Sequence, residues 1–266
     1  GIRLIDGTFK RLRAERRAAL MPFIVAGDPR GDVTPDLLLA LQEGGADLIE
    51  LGIPFSDPLA DGPVIQAASA RALARGMTPA RALAALAAAR GRLRVPVVVL
   101  TYWNPVLQFG GNPGAFVEAA AASGAAGLIV PDLPVEEGRA FAALAARRGV
   151  APVFLASPTS TPERLRLIAE LSRGFIYYVS VTGTTGVRRR LPAELGTGVR
   201  RLARMTRTPI CVGFGIATSA QAAAVARAAD GVIVGSALVA RLARTSGRAA
   251  AGRAAADFVR RLRRGV

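Results

Sequence analysis

Eight short apolar runs, each ending in a glycine- or proline-bearing turn and each followed by a helical stretch, constrain this chain more than any other feature. They are Pro22–Val25, Leu48–Leu51, Pro96–Tyr102, Gly127–Val130, Pro152–Ala156, Phe175–Ser180, Pro209–Val212 and Gly231–Val234. Uninterrupted Val/Ile/Leu runs without polar alternation suit parallel strands buried on both faces. Helices are expected over Thr34–Glu43, Val64–Arg75, Pro113–Ser123, Val135–Arg148, Pro162–Ser172 and Ser219–Ala228, from beyond Pro192 to Met205, and again after the last strand. Glycines close many of them, at Gly44, Gly76, Gly124, Gly149 and Gly174. Two helices fall outside the alternation. A basic amphipathic one spans Thr8–Leu20 with Thr8 as cap, and another runs from Thr78-Pro79 to about Arg92.

Eight strand–helix units within 266 residues match a (β/α)8 TIM barrel, with an extra N-terminal helix and an extra helix after strand 2. A doubly wound α/β sheet is the competing architecture. It would more often place a GxGxxG turn after the first strand, where this chain has Gly27-Asp28-Pro29. No linker-like segment divides the chain, so residues 1–266 are expected to form one barrel domain.

Composition narrows the function. The mean hydropathy of +0.34 raises the question of a membrane. Yet the charge-free window Val95–Val117 carries Pro96, Pro105, Gly110, Gly111 and Pro113, and cannot be one spanning helix. A net charge of +16 suggests polyanions, but the arginines are scattered among alanines, and aromatics for base stacking total 5%. Neither a membrane nor a nucleic acid is the expected partner. The single cysteine, Cys211, excludes an intramolecular disulfide and suits a reducing compartment, so a cytoplasmic location is expected.

The second strand carries an unusual residue. Glu50 lies inside an apolar run, where a charge is costly unless paired or used. Asp61 follows eleven residues later, across a proline-rich loop. The pair could serve acid/base chemistry. Glu50 could instead be salt-bridged, and Asp61 could cap the helix beginning near Pro63. Elimination favours chemistry. The chain has no histidine, which excludes a histidine base, histidine metal ligands and a Ser-His-Asp triad. Its one lysine, Lys10, precedes the first strand, so no Schiff-base lysine stands at a strand end.

Barrel active sites sit at the C-terminal ends of the strands. The early strand ends offer Phe23, Glu50, Asp61, Leu100 and Tyr102, and the sixth adds Tyr177. The late ones end in glycines: Gly183 and Gly186, Gly213 and Gly215, then Gly235-Ser236 before a helix. Exposed backbone amides and a helix N-terminus there make a phosphate site. A small phosphorylated substrate with an apolar end fits both halves.

The segment Glu50–Gln66, ELGIPFSDPLADGPVIQ, resembles the signature of the tryptophan synthase alpha chain family. The likeness extends to PFIVAGDP from Pro22, VPDLP around Pro131, VSVTGTTG around Ser180, VGFGI from Val212 and VGSALV from Val234. It therefore covers nearly the whole chain. The resemblance implies a retro-aldol lyase that cleaves indole-3-glycerol phosphate to indole and glyceraldehyde 3-phosphate in tryptophan biosynthesis. It implies Glu50 as the acid/base at indole C3 and the glycerol hydroxyl, and an ionised Asp61 hydrogen-bonded to the indole N–H. It further implies phosphate contacts at Gly186, Gly215, Gly235 and Ser236. Phe23, Leu100, Tyr102, Tyr177 and Phe214 would line the indole or glycerol site, although each could equally be barrel core. Thr185 would lie in a closing loop. Thr184 stands where the family commonly has valine, and Arg188-Arg189-Arg190 is unusually basic, which leaves that loop's behaviour open.

The resemblance also implies a beta-chain partner in an alpha2beta2 heterotetramer, contacted through Pro54, Asp57 and Pro58. Pyridoxal phosphate would belong to that beta chain, with no cofactor in this one. Competing readings are a free-standing indole-3-glycerol phosphate lyase, another phosphate-binding barrel enzyme, or a scaffold whose main task is to activate a beta chain.

Overall fold

The computed structural model describes residues 1–179, 195–213 and 215–266. In chain order the elements are α1 (Ile2–Ala14), β1 (Ala19–Val25), α2 (Thr34–Glu43), β2 (Ile49–Gly52), α3 (Pro63–Ala74), α4 (Pro79–Arg90), β3 (Val97–Leu100), α5 (Trp103–Gln108), α6 (Pro113–Ser123), β4 (Ala125–Ile129), α7 (Arg139–Arg147), β5 (Ala151–Val153), β6 (Leu155–Ala156), α8 (Pro162–Leu171), β7 (Ile176–Val179), α9 (Leu195–Ala203), β8 (Ile210–Gly213), α10 (Ser219–Ala226), β9 (Gly231–Val234), α11 (Ser236–Leu242) and α12 (Arg248–Arg263). The strands form one parallel sheet in the order β5-β4-β3-β2-β1-β9-β8-β7-β6.

The two ends of that order, β5 and β6, are consecutive in the chain and separated only by Phe154. They are the halves of the expected fifth strand. β5 pairs with β4 and β6 with β7, so the sheet curls into a barrel whose seam runs through this strand. The continuous strand expected over Pro152–Ala156 is thus broken. Pro152 has no N–H for the ladder, and the Phe154 N–H turns to Ser172 Oγ at 3.4 Å.

Burial falls into two apolar layers. Inside the barrel, Met21, Leu48, Val98, Cys211 and Ile233 pack with Ile5, Phe9 and Leu12 of α1, which plugs the N-terminal end of the strands. Outside, Leu37, Leu86, Phe116, Ile168 and Val259 join the helices to the other strand face. Strand residues are therefore buried on both sides, as the apolar runs require.

Several boundaries differ from expectation. The first helix covers Ile2–Ala14, not Thr8–Leu20. Thr8 lies inside it, its hydroxyl donating to the Leu4 carbonyl at 2.9 Å, the back-bond that a threonine makes to the preceding turn of a helix. Residues 19–21 extend the first strand, because Ala19, Leu20 and Met21 pair with Gly231, Val232 and Ile233. A short α5 follows β3, and the last helical region is divided into α11 and α12 rather than continuous. Other caps are local and legible: Thr78, Asn112, Thr161 and Thr218 each accept a backbone N–H of the first turn.

At the N-terminal end of the barrel, Asp47 holds the termini together. Arg17 grips it with two bonds of 3.0 Å, Arg263 of α12 reaches it at 2.7 Å, and the Leu20 N–H donates to it at 3.0 Å. This anchors α12 and the start of β1 far from the opposite mouth.

Candidate active site

At the C-terminal ends of the strands a cavity opens, lined by Phe23, Glu50, Asp61, Ile65, Leu100, Ile129, Leu155, Tyr177, Gly213, Gly215, Ile233, Gly235 and Ser236, among others. Parallel pairing aligns these positions. Phe23 is opposite Glu50, Leu100 opposite Ile129, and Leu155 opposite Tyr177. Two glycines leave room for the rings at this level. A Cβ on Gly52 would sit 2.6 Å from the Phe23 ring, and one on Gly213 would sit 2.6 Å from a carbon of the Tyr177 ring.

Glu50 is 1% exposed, and its Oε2 has no hydrogen-bond partner. No ion pair to it exists among the described residues, so the salt-bridge reading gives way. Burial, and then the charge of Asp61, push its carboxyl up to about 8. At neutral pH Glu50 is therefore a protonated acid facing a mostly apolar cavity.

Asp61 occupies the last turn of the loop from β2 to α3. It does not cap the helix: the N-cap of α3 is Gly62, with no side-chain bond. The Tyr102 hydroxyl donates to Asp61 Oδ2 at 3.0 Å and accepts the Ala60 N–H at 3.1 Å. Burial pushes Asp61 up to about 6, while the Tyr102 hydrogen bond acts in the opposite direction. The two carboxyls thus straddle neutrality, with Asp61 ionised and Glu50 protonated. Pairs separated by environment in this way divide acid and base duties.

Tyr102 stands behind Asp61 and not on the cavity wall. It is 2% exposed, with its ring centroid 5.2 Å from that of Phe55 on the same loop. Tyr177 does face the cavity. Its phenol is raised well above the ordinary value by burial first and then by Glu50 and Asp61, so it remains a protonated donor.

Across the mouth, Gly235 precedes α11, whose first residue Ser236 is buried at the cavity edge. The first amides of a helix have no intrahelical acceptor and attract anions. Gly215 lies beside them with φ of 30°. Thr185, Gly186 and Phe214 lie outside the described residues, as do Thr184 and the arginine run at 188–190.

In the loop of Asp61, Asp57 is exposed and receives the Ser56 hydroxyl at 2.6 Å, Pro58 is half-buried, and Pro54 is buried within the chain itself. Leu59, which the sequence reading did not single out, is 90% exposed. The wall residues Ile65, Ile129, Leu155 and Ile233 were also not singled out. In an apolar run nothing separates a cavity-facing isoleucine from a core one.

The chain matches the family described as "Tryptophan synthase alpha chain" over residues 9–264. It belongs to the tryptophan synthase alpha chain family. It is similar to the alpha chain of Gloeobacter violaceus, with 51% identity over 98% of this chain and 94% of that one. The alpha chain of Geobacter sulfurreducens is 46% identical over 98% of both chains. Among solved structures, Mycobacterium tuberculosis tryptophan synthase aligns at a TM-score of 0.86, 39% identity and 96% coverage of each chain. The alpha subunit from Legionella pneumophila gives 0.87, 37% and 98% of each. The tryptophan synthase alpha chain is a carbon–carbon lyase of tryptophan biosynthesis that cleaves indole-3-glycerol phosphate. Among the described residues, no helix is long and apolar enough to cross a membrane.

Proposed function

We propose that Glu50 and Asp61 carry the cleavage of indole-3-glycerol phosphate into indole and D-glyceraldehyde 3-phosphate. The observation that carries this assignment is the buried Glu50 carboxyl, whose Oε2 has no hydrogen-bond partner, lining the same cavity as Asp61. Protonated Glu50 delivers its proton to indole C3, which converts the ring into an electron sink. Asp61 accepts a hydrogen bond from the indole N–H and stabilises the positive charge that develops there. The Glu50 carboxylate then takes the proton of the glycerol hydroxyl on the carbon attached to C3. That carbon becomes the aldehyde as the C–C bond breaks, and the bonding pair returns to the ring and restores indole. Glu50 ends protonated, so the cycle closes with no lysine or metal in the step.

Phe23, Leu100 and Tyr177 hold the apolar ring, and Gly215, Gly235 and Ser236 receive the phosphate. Thr185, Gly186 and Phe214 are assigned to the same site by family likeness. A single barrel domain over 1–266, working in the cytoplasm with no cofactor of its own, completes the reading. Its partner is a beta chain carrying pyridoxal phosphate, in an alpha2beta2 assembly. Asp57, Pro58 and the exposed Leu59 form the contact, supported by their projection from the loop that bears Asp61. Pro54 is buried within its own chain and supports that loop from inside.

The test is release of indole from indole-3-glycerol phosphate, with and without a beta chain. Glu50→Gln and Asp61→Asn should each abolish release while leaving folding intact. Normal turnover in either variant would overturn the assignment. Turnover that no beta chain enhances would favour a free-standing lyase, and binding without turnover a scaffold.

A further inference from the structure

On the outer shell, in a groove distinct from the mouth cavity, a space of about 740 Å³ opens where the start of α10, α11 and α12 meet. Its shape follows from sequence. Ala237 and Ala240 of α11 face Ala254 of α12, and side chains ending at Cβ leave space that larger residues would fill. Phe258 and Leu262 form an apolar floor. Arg241, Arg244 and Arg261 stand around it, and Arg260 and Arg264 flank the adjoining cleft.

These arginines are poorly neutralised. Asp257 is the one carboxylate among the cleft residues, and it is engaged by Arg260 at 2.7 Å. Arg241 and Arg261 use Nε on the carbonyls of Ala254 and Asp257, both at 3.3 Å, which leaves the outer nitrogens of each fork available. Neither they nor Arg244 and Arg264 have an ion pair among the described residues. Elsewhere on the shell, arginines such as Arg139, Arg164 and Arg248 meet carboxylates.

We propose that this groove is a second ligand site, for a small amphipathic carboxylate whose apolar chain or ring lies on Phe258 and Leu262 and whose carboxylate is held by Arg244 and Arg241. An apolar floor with a cationic rim selects this class. The floor gains by burying hydrocarbon, and guanidinium forks match a carboxylate in geometry and charge. A simple phosphate would leave the floor wet, and a neutral hydrocarbon would leave the arginines unused.

The test is isothermal titration of the full-length chain with decanoate as probe, in glycerol 3-phosphate sufficient to occupy the barrel mouth. One saturable site per chain is expected. Arg244→Ala should weaken it about tenfold, roughly 1.4 kcal/mol, the loss of one charge-assisted contact. Ala254→Leu should fill the floor and abolish binding while every arginine remains. Indole release without decanoate should be unchanged in Arg244→Ala. Absence of saturable binding, equal binding by Arg244→Ala, or displacement by glycerol 3-phosphate would each overturn the proposal. If Ala254→Leu folds poorly, Arg244→Ala decides alone.

Discussion

The Tyr102 hydroxyl donates to Asp61 Oδ2 at 3.0 Å, and the two residues come from different strand ends of the barrel. The same oxygen accepts the Ala60 N–H at 3.1 Å, and the ring meets Phe55 at 5.2 Å. One side chain therefore holds both ends of the loop that carries the carboxylate. It also favours the ionised form of Asp61 against the effect of burial.

Tyr102→Phe keeps the ring and removes this bond. Asp61 then becomes harder to ionise, so the acid limb of the kcat/KM profile should move to higher pH. At neutral pH kcat/KM should fall about tenfold, the usual scale for a hydrogen bond to a charged group. An unshifted profile would refute the role given to the hydroxyl.

Glu50 makes stability depend on pH in a defined direction. Its folded pKa, about 8, lies above the ordinary 4.5, so as pH rises the unfolded chain releases the proton first. Stability is lost through that window and is lowest above it. Glu50→Gln removes the effect. Relative to the parent, it should gain on the order of 1 kcal/mol per pH unit inside the window, while indole release is lost. Urea unfolding at pH 5, 6.5 and 8 would show the gain, and a constant difference would contradict it.

Asp47→Asn should cost about 2–3 kcal/mol, because Arg17 and Arg263 lose the charge they share and the site is largely buried. Its position at the N-terminal end of the strands predicts unchanged kcat/KM in the folded fraction. Thermal unfolding and an indole assay on the same sample separate the two effects.

Gly213→Ala should force Tyr177 out of place, since the new methyl would lie 2.6 Å from a ring carbon. KM for indole-3-glycerol phosphate should rise about tenfold, the scale of a contact displaced in an apolar pocket. Adding Tyr177→Leu should relieve the clash, so the double variant should lose less than the two singles combined.

Leu59→Ser should weaken beta-chain binding about tenfold, because an exposed leucine covered by a partner gains from the burial of its apolar surface and a serine does not. Titration calorimetry with a beta chain measures it, and an unchanged affinity would place the contact elsewhere.

How much was legible follows from the range of each interaction. Gly235-Ser236 was legible as the turn that opens a helix at the barrel mouth, because a glycine before a helix is a local pattern, and Thr78 was legible as a cap for the same reason. Glu50 was conspicuous because one acid among Leu48, Ile49 and Leu51 violates the solvation rule of a buried strand. By contrast, Thr8 lies inside α1 and not at its cap, because a threonine hydroxyl has two local uses, and the choice follows from packing of Ile5, Phe9 and Leu12 against residues distant in sequence such as Met21 and Phe175. Leu59 and Ile129 carried no signal, since exposure and cavity-facing orientation are properties of neighbours distant in sequence.

The sequence by itself determined the alternation of strand and helix, the barrel, the two acids and the family, because periodicity, turn chemistry and residue type are written locally. Only the tertiary structure decided that Glu50 is buried with no ion pair among the described residues, that Asp61 is gripped by Tyr102 and not by its own helix, and that the fifth strand breaks at Phe154. Those outcomes depend on which groups exclude water from one another. Closure of the barrel sets those distances, bringing together residues dozens of positions apart.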